Sequence, residues 1–259
     1  MLARIAWLFG CCFLAACATD PGDDTASHWS PPTDAGPAPT GFTIDYSRWQ
    51  LQLPSGNSSP DVISPTALPT FTSAYFSDGD DGGKIFMDPQ TGVTTGGSAH
   101  PRTELRELDA TGKGAHWSPT GTNTLIVTGK AITCDSCTIG QIFDDSASST
   151  LAELEYSSAS GGSMRLFYEE AKGAGGTPLD LGVRIPHNTP YTFELSFSHG
   201  LITISVDQEQ VYMLAPSASV LAGEFYFKAG DYDQEAVAGP VTTDESSRIE
   251  NYSIVVAHE

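Results

Sequence analysis

Positive charge is scarce in this chain: 12 Lys and Arg stand against 32 Asp and Glu, a formal charge of −20 over 259 residues. Such a balance provides no basic footprint for a phosphate backbone or an anionic membrane surface, so nucleic acid is not an expected partner. Helical stripes are missing as well. No segment of useful length repeats apolar residues at helical spacing, and 26 Gly and 17 Pro interrupt the chain, which disfavours a helical bundle or coiled coil. No repeat of fixed period occurs, which disfavours a propeller or solenoid. Cysteine is sparse: Cys11, Cys12 and Cys17 fall in the first 17 residues, leaving Cys134 and Cys137 as a single C-D-S-C. A zinc site needs further ligands and a redox motif needs a strand-to-helix setting, so a local disulfide is the expected state. His28, His116, His187, His199 and His258 show no metal-ligand spacing, and no metal or other cofactor is expected.

What is present begins with residues 1–17, one positive charge at Arg4 followed by an apolar run and small residues, which read as an export signal. Leu14-Ala15-Ala16-Cys17 resembles a bacterial lipoprotein box, in which cleavage before Cys17 leaves its thiol to carry lipid. The run is short for a membrane span and no second candidate follows. The resemblance implies a cell-envelope lipoprotein, on the outer membrane or cell surface, touching the membrane only through Cys17. Residues 18–41 contain four Asp, no Lys or Arg, and Pro21, Pro31, Pro32, Pro37 and Pro39, a composition that buries no core and reads as a disordered linker. Residues 42–259 keep 11 basic and 28 acidic groups and form one expected domain, a monomer.

Within that domain Phe193, Leu195 and Phe197 alternate with polar residues, Ser198-His199-Gly200 breaks the run, and Ile202, Ile204 and Val206 alternate again. Period two with a turn between is a hairpin with one buried face. Similar stretches occur at 124–132, 151–156, 164–169, 224–230 and 248–256. The expected fold is all-β, two antiparallel sheets packed as a jelly-roll sandwich with a concave groove for substrate.

Three segments carry candidate chemistry. His100 to Leu108 reads as a strand, so Arg102, Glu104 and Arg106 share a face, two guanidiniums held by a carboxylate in a fork suited to planar anions such as uronates. Tyr226-Phe227-Lys228-Ala229-Gly230-Asp231-Tyr232-Asp233-Gln234 places Tyr226, Lys228, Tyr232 and Gln234 at even spacing if no bulge intervenes at Gly230, with Phe227 and Ala229 toward the core. Gln141 in Gly140-Gln141-Ile142-Phe143 adds an amide.

In this order PRTELREL, GQIF and YFKAGDYDQ resemble the three signature regions of the alginate lyases of polysaccharide lyase family seven, usually R-[ST]-E-[LV]-R, Q-[IV]-H and YFKAG-x-Y-x-Q. The runs from Trp49 to Pro54 and from Asn251 to Ile254 are similar too, so the resemblance covers Phe42 to Glu259. It implies cleavage of an acidic polysaccharide by β-elimination without a metal. Arg102 and Gln141 would hold the uronate carboxylate, Tyr232 would donate a proton to the departing O4 and take the C5 proton, and Glu104, Arg106, Lys228 and Gln234 would bind or orient sugars.

The chain departs from this pattern at Phe143, where the family has histidine. Phenylalanine accepts no proton. In β-mannuronate and β-glucuronate the C5 proton and O4 lie on one sugar face, so one tyrosine serves both steps, and the substitution predicts syn elimination. His100, of the same parity as Arg102, is a candidate replacement base. Two other readings compete: a retaining glycoside hydrolase using Glu153 and Glu155, and a noncatalytic polysaccharide-binding lipoprotein that keeps the arginine fork.

Overall fold

The computed structural model describes residues 43–174 and 176–259. The expected export signal at 1–17 with its candidate lipidation site Cys17, the expected linker at 18–41 and Phe42 lie outside the described residues. Among the described residues there is no α-helix, only four three-residue 3-10 turns.

Two eight-stranded sheets pack face to face. One runs in the order Glu209–Leu214, Leu201–Val206, Tyr191–Ser198, Asn123–Thr133, Glu245–His258, Lys84–Pro89, Phe76–Asp78, with Thr43–Ile44 added in parallel on Glu245–His258. The other runs Leu179–Arg184, Ser163–Tyr168, Ser149–Ser157, Ser136–Asp144, Phe225–Asp233, Thr103–Glu107, Trp49–Gly56, Pro60–Ile63, all antiparallel. This is the expected two-sheet sandwich. The hairpin turns at His199-Gly200, both at positive φ (51° and 78°), a two-residue connection whose twist matches that of its strands. Phe193, Leu195, Phe197, Ile202 and Ile204 fill one side of the core, and Leu51, Leu105, Ile142, Leu154 and Phe227 the other. Burying each such side chain contributes about 1.5–3 kcal/mol.

The second sheet carries the candidate chemistry on its outer face. Its Phe225–Asp233 strand lies between Ser136–Asp144 and Thr103–Glu107, and every one of its nine residues is buried. Phe227 and Ala229 face the core as the alternation requires. A bulge does intervene, since the register slips between Ala229 and Tyr232, with Gly230 at φ 148°. The slip is confined to the pairing with Ser136–Asp144, so alternation still carries Asp231 inward and Tyr232 to the outer face. The first motif strand is shorter than expected: pairing spans Thr103–Glu107, not His100 to Leu108. Pro101 has no N–H to add to a ladder and restrains His100 before it, so pairing starts only beyond Arg102. The disulfide Cys134–Cys137 is formed and closes the turn leading into Ser136–Asp144.

Beneath the bulge lie three buried carboxyls, Asp88, Asp231 and Asp233. Asp88 Oδ2 accepts the Asp233 N–H at 3.0 Å and Asp231 Oδ2 accepts the Ser247 hydroxyl at 2.8 Å, while Oδ1 of both Asp88 and Asp231 has no partner. Burial, reinforced by the mutual repulsion of these acids, raises Asp88 and Asp231 well above the usual carboxylate range. A carboxyl whose folded value is raised holds its proton in the native state and loses it on unfolding. Its stabilisation is therefore complete below about pH 4 and declines as pH rises toward the folded value, by ~1.4 kcal/mol per unit per group. Asp231→Asn is expected to flatten the fall of Tm by about 3 °C per pH unit as pH rises from 5 toward the folded value. Thermal melts of both proteins across that range check this; parallel curves would show that the pair does not retain protons.

Candidate active site

Cross-strand register sets Arg106, Lys228, Gln141 and Glu153 side by side on four successive strands. Arg102, just before the Thr103–Glu107 strand, reaches the same face. A cleft of about 500 Å³ opens there, lined by Arg102, Arg106, Phe143, Glu153, Lys228 and Tyr232 among others.

Glu104 organises the floor. Its Oε2 accepts from Arg102 Nη1 at 3.1 Å and lies 3.5 Å from Lys228 Nζ, and its Oε1 accepts from Gln141 Nε2 at 2.5 Å. The fork expected between Arg102 and Arg106 is thus a fork between Arg102 and Lys228. Arg106 turns to Asp145 (3.4 Å) and stacks 4.3 Å over the Tyr226 ring, because the Lys228 ammonium, its register partner, already occupies the space beside Glu104. Burial of Lys228, partly opposed by Glu104, lowers its ammonium to about 8.

Tyr232 is 8% exposed at the cleft wall. The Arg102 guanidinium lies 3.7 Å over its ring, and its hydroxyl is 3.1 Å from Ser98 Oγ. Ser98 Oγ donates to the His100 carbonyl at 2.9 Å and accepts from Arg102 Nη2 at 2.9 Å, so its one proton is committed and the tyrosine hydroxyl is the donor between them. Burial raises the phenol above its ordinary value, outweighing the opposing effect of Arg102. Tyr232 therefore rests as a phenol, a proton donor.

The remaining expected site residues fall into two groups. Gln141 and Glu104 lie beneath the cleft surface, 0% and 2% exposed; the Gln141 amide is engaged by Glu104 on one side and by the Thr150 hydroxyl, at 3.3 Å, on the other. Gln234 also lies outside the cleft lining, donating to Thr138 Oγ1 (3.3 Å) and to the Tyr232 carbonyl (3.1 Å). His100 does not line the cleft: its Nδ1 donates to the Ala236 carbonyl at 2.6 Å, with its ring 6.1 Å from that of Tyr232. Phe143 stacks on Tyr226 at 4.9 Å with Lys228 Nζ 4.6 Å from its ring centre. Ser98 escaped the sequence reading because it sits in a loop, where no periodicity marks a face. Glu153 entered that reading only as half of a hydrolase pair. Glu155, the other half, is held by Arg165 at 3.1 Å.

A sandwich of antiparallel sheets with a cationic, tyrosine-bearing cleft on one outer face is the architecture of a polysaccharide lyase. A family model described as Alginate lyase matches residues 44–258. Among solved structures, an alginate lyase of Pseudomonas aeruginosa is 27% identical with a TM-score of 0.75, covering 83% of this chain and 100% of that one. Alginate lyase A1-II′, described as a member of polysaccharide lyase family 7, is 26% identical with a TM-score of 0.71, covering 83% and 96%. Alginate lyase AlgAT5, of the same family, is 27% identical with a TM-score of 0.67, again covering 83% and 96%. No curated protein matches at a significant level. The chain belongs to the alginate lyase family and is a polysaccharide lyase, a carbon–oxygen lyase. The hydrolase and noncatalytic readings give way to that membership.

Proposed function

We propose that this lyase cleaves alginate by syn elimination at β-mannuronate, with Tyr232 moving both protons and Arg102 facing the uronate carboxylate. The observation that carries the reading is the pairing of a cleft-lining Tyr232, fixed by Ser98 and Arg102, with an inert Phe143. Elimination breaks the C5–H and C4–O4 bonds and forms a C4=C5 double bond. The C5 proton is acidic enough to leave only when the neighbouring carboxylate is neutralised and the enolate-like charge is met by fixed donors. Arg102 and Lys228, 7% and 6% exposed, provide fixed positive charge there, and Glu104 holds both in place.

Gln141 supports Glu104 and reaches substrate only if its amide leaves that carboxylate. A phenolate of Tyr232 takes the C5 proton and returns it to O4, so the residue ends as it began. Because the resting group is a phenol, the reactive phenolate is a minority form at neutral pH. Among the described residues His100, its ring 6.1 Å from that of Tyr232, is the imidazole placed to start the cycle by drawing the Tyr232 proton after rotation of either ring.

The test is a substrate panel of polymannuronate, polyguluronate and glucuronan, read by the ultraviolet absorbance of the new double bond. Polymannuronate is expected to be degraded at least tenfold faster than polyguluronate, a difference of ~1.4 kcal/mol or more in activation free energy. Faster cleavage of polyguluronate overturns the syn assignment.

A further inference from the structure

Glu104, Glu153 and Glu155 are buried on the outer side of the sheet, with Asp145 and Glu169 on the cleft wall, and the three buried carboxyls are not equivalent. Glu104 is satisfied by Arg102, Lys228 and Gln141. Glu155 is held by Arg165. Glu153, opposite Gln141 on the Ser149–Ser157 strand, lines the cleft, is 8% exposed, and has no cation within ion-pair distance among the described residues. It accepts from the Thr138 hydroxyl at 3.4 Å, and the Thr150 hydroxyl, which donates to Gln141 Oε1, stands beside it.

A lone carboxylate is a poor neighbour for a polyanion. Each uronate brings its own negative charge to this cleft, and in a partly desolvated site two facing carboxylates repel strongly unless one takes up a proton. A protonated carboxyl is the reverse, an O–H donor able to bind a carboxylate oxygen or a sugar hydroxyl. We propose that Glu153 is the specificity-determining proton store of this lyase: it takes up a proton as a uronate enters and, as a neutral acid, donates a hydrogen bond to the substrate carboxylate, the service that the Phe143 ring does not provide. The inference rests on the reading of this cleft as a uronate site.

The surroundings favour the neutral form. On its own strand Glu153 shares a face with Glu155. The adjoining Ser163–Tyr168 strand presents Phe167 opposite Glu153 and Arg165 opposite Glu155. From the other side Arg102, Glu104, Lys228 and Tyr232 face it, and Glu169 and Lys172 stand on the cleft wall. Burial first, then the negative charge of Glu155, raise Glu153 to about 7, with Thr150 and Arg102 opposing. The free cleft thus binds or releases this proton within the physiological range, and an entering carboxylate draws it on.

The experiment measures proton uptake. In a Tyr232→Phe background, expected to slow turnover by about 10²–10⁴-fold, calorimetric titration with mannuronate oligomers at pH 7.5 in buffers of different ionisation enthalpy gives the number of protons taken up on binding. We expect about one proton per site at most, set by the free group's ionised fraction, and a clear reduction in the Tyr232→Phe, Glu153→Gln protein. Uptake equal in the two proteins, or absent in both, overturns the proposal. In the Tyr232-containing enzyme, the ratio of kcat/KM for Glu153→Gln over that for the unaltered protein is expected to be flat below about pH 7 and to rise up to tenfold per unit above it, with the change carried by KM. A ratio that stays flat from pH 5 to 9 also overturns it. Glu153→Ala, which has no donor, is expected to weaken binding at pH 6 by about tenfold or more relative to Glu153→Gln; equal weakening by both removes the hydrogen-bond role. Absence of ultraviolet product from the unaltered protein would sink the lyase reading and leave the calorimetric test standing.

Discussion

Tyr232→Phe removes a single oxygen and is expected to lower the rate of ultraviolet-absorbing product by about 10²–10⁴-fold, the range over which a positioned proton-transfer group contributes. The ring that carries the Arg102 contact remains, so binding of mannuronate oligomers is expected to persist, and the loss should fall on kcat. The Ser98 hydroxyl loses one partner, but it keeps the Arg102 and His100 contacts, so the fold should be undisturbed. Turnover and calorimetry on one preparation decide it. Activity within tenfold of the unaltered enzyme would show that the protons move elsewhere, with His100 the next group to replace.

Gly230→Ala should be a strongly damaging single-methyl change at the centre of this sheet. At φ 148° a side chain is strained, and the added Cβ would stand 2.6 Å from the Thr103 carbonyl and 2.9 Å from Glu104 Cα, both backbone atoms unable to swing aside. Strain of about 1–3 kcal/mol and overpacking of similar size together predict about 2–5 kcal/mol of lost stability and a Tm lower by roughly 5–15 °C. Gly182→Ala is the control: its φ of 77° carries strain too, but nothing lies within 4 Å of the new methyl. Its melting point should fall by far less. Similar losses in both would place the whole cost in φ and none in the bulge. Since the bulge also sets where Tyr232 emerges, residual activity of folded Gly230→Ala should fall as well.

The residues that announced themselves in the sequence were those on regular strands. Alternation placed Phe193, Leu195, Phe197, Phe227 and Ala229 in the core because period two has only two faces, and burying one of them determines the other. Arg102, Glu104 and Lys228 shared a face for the same reason. Their partners did not follow from spacing. Arg106 looked equivalent to Arg102, yet pairs with Asp145, because the single Glu104 carboxylate between strands had a nearer cation in Lys228, 124 residues beyond it in the chain. Ser98 carried no pattern at all. Its position depends on the loop before Pro101 folding back onto Tyr232, a contact spanning 134 residues.

From the sequence alone came the fold class, the C-D-S-C disulfide and the three ordered motifs, since hydrophobic period, short-range geometry and residue type are local properties of the chain. Only the tertiary structure decided that Gln141 lies beneath the cleft on Glu104, that Tyr232 rests as a phenol, and that Glu153 lines the cleft with no ion-pair partner among the described residues. Those are matters of burial and of which charges meet across strands far apart in sequence, and neither exists until the sheet has assembled.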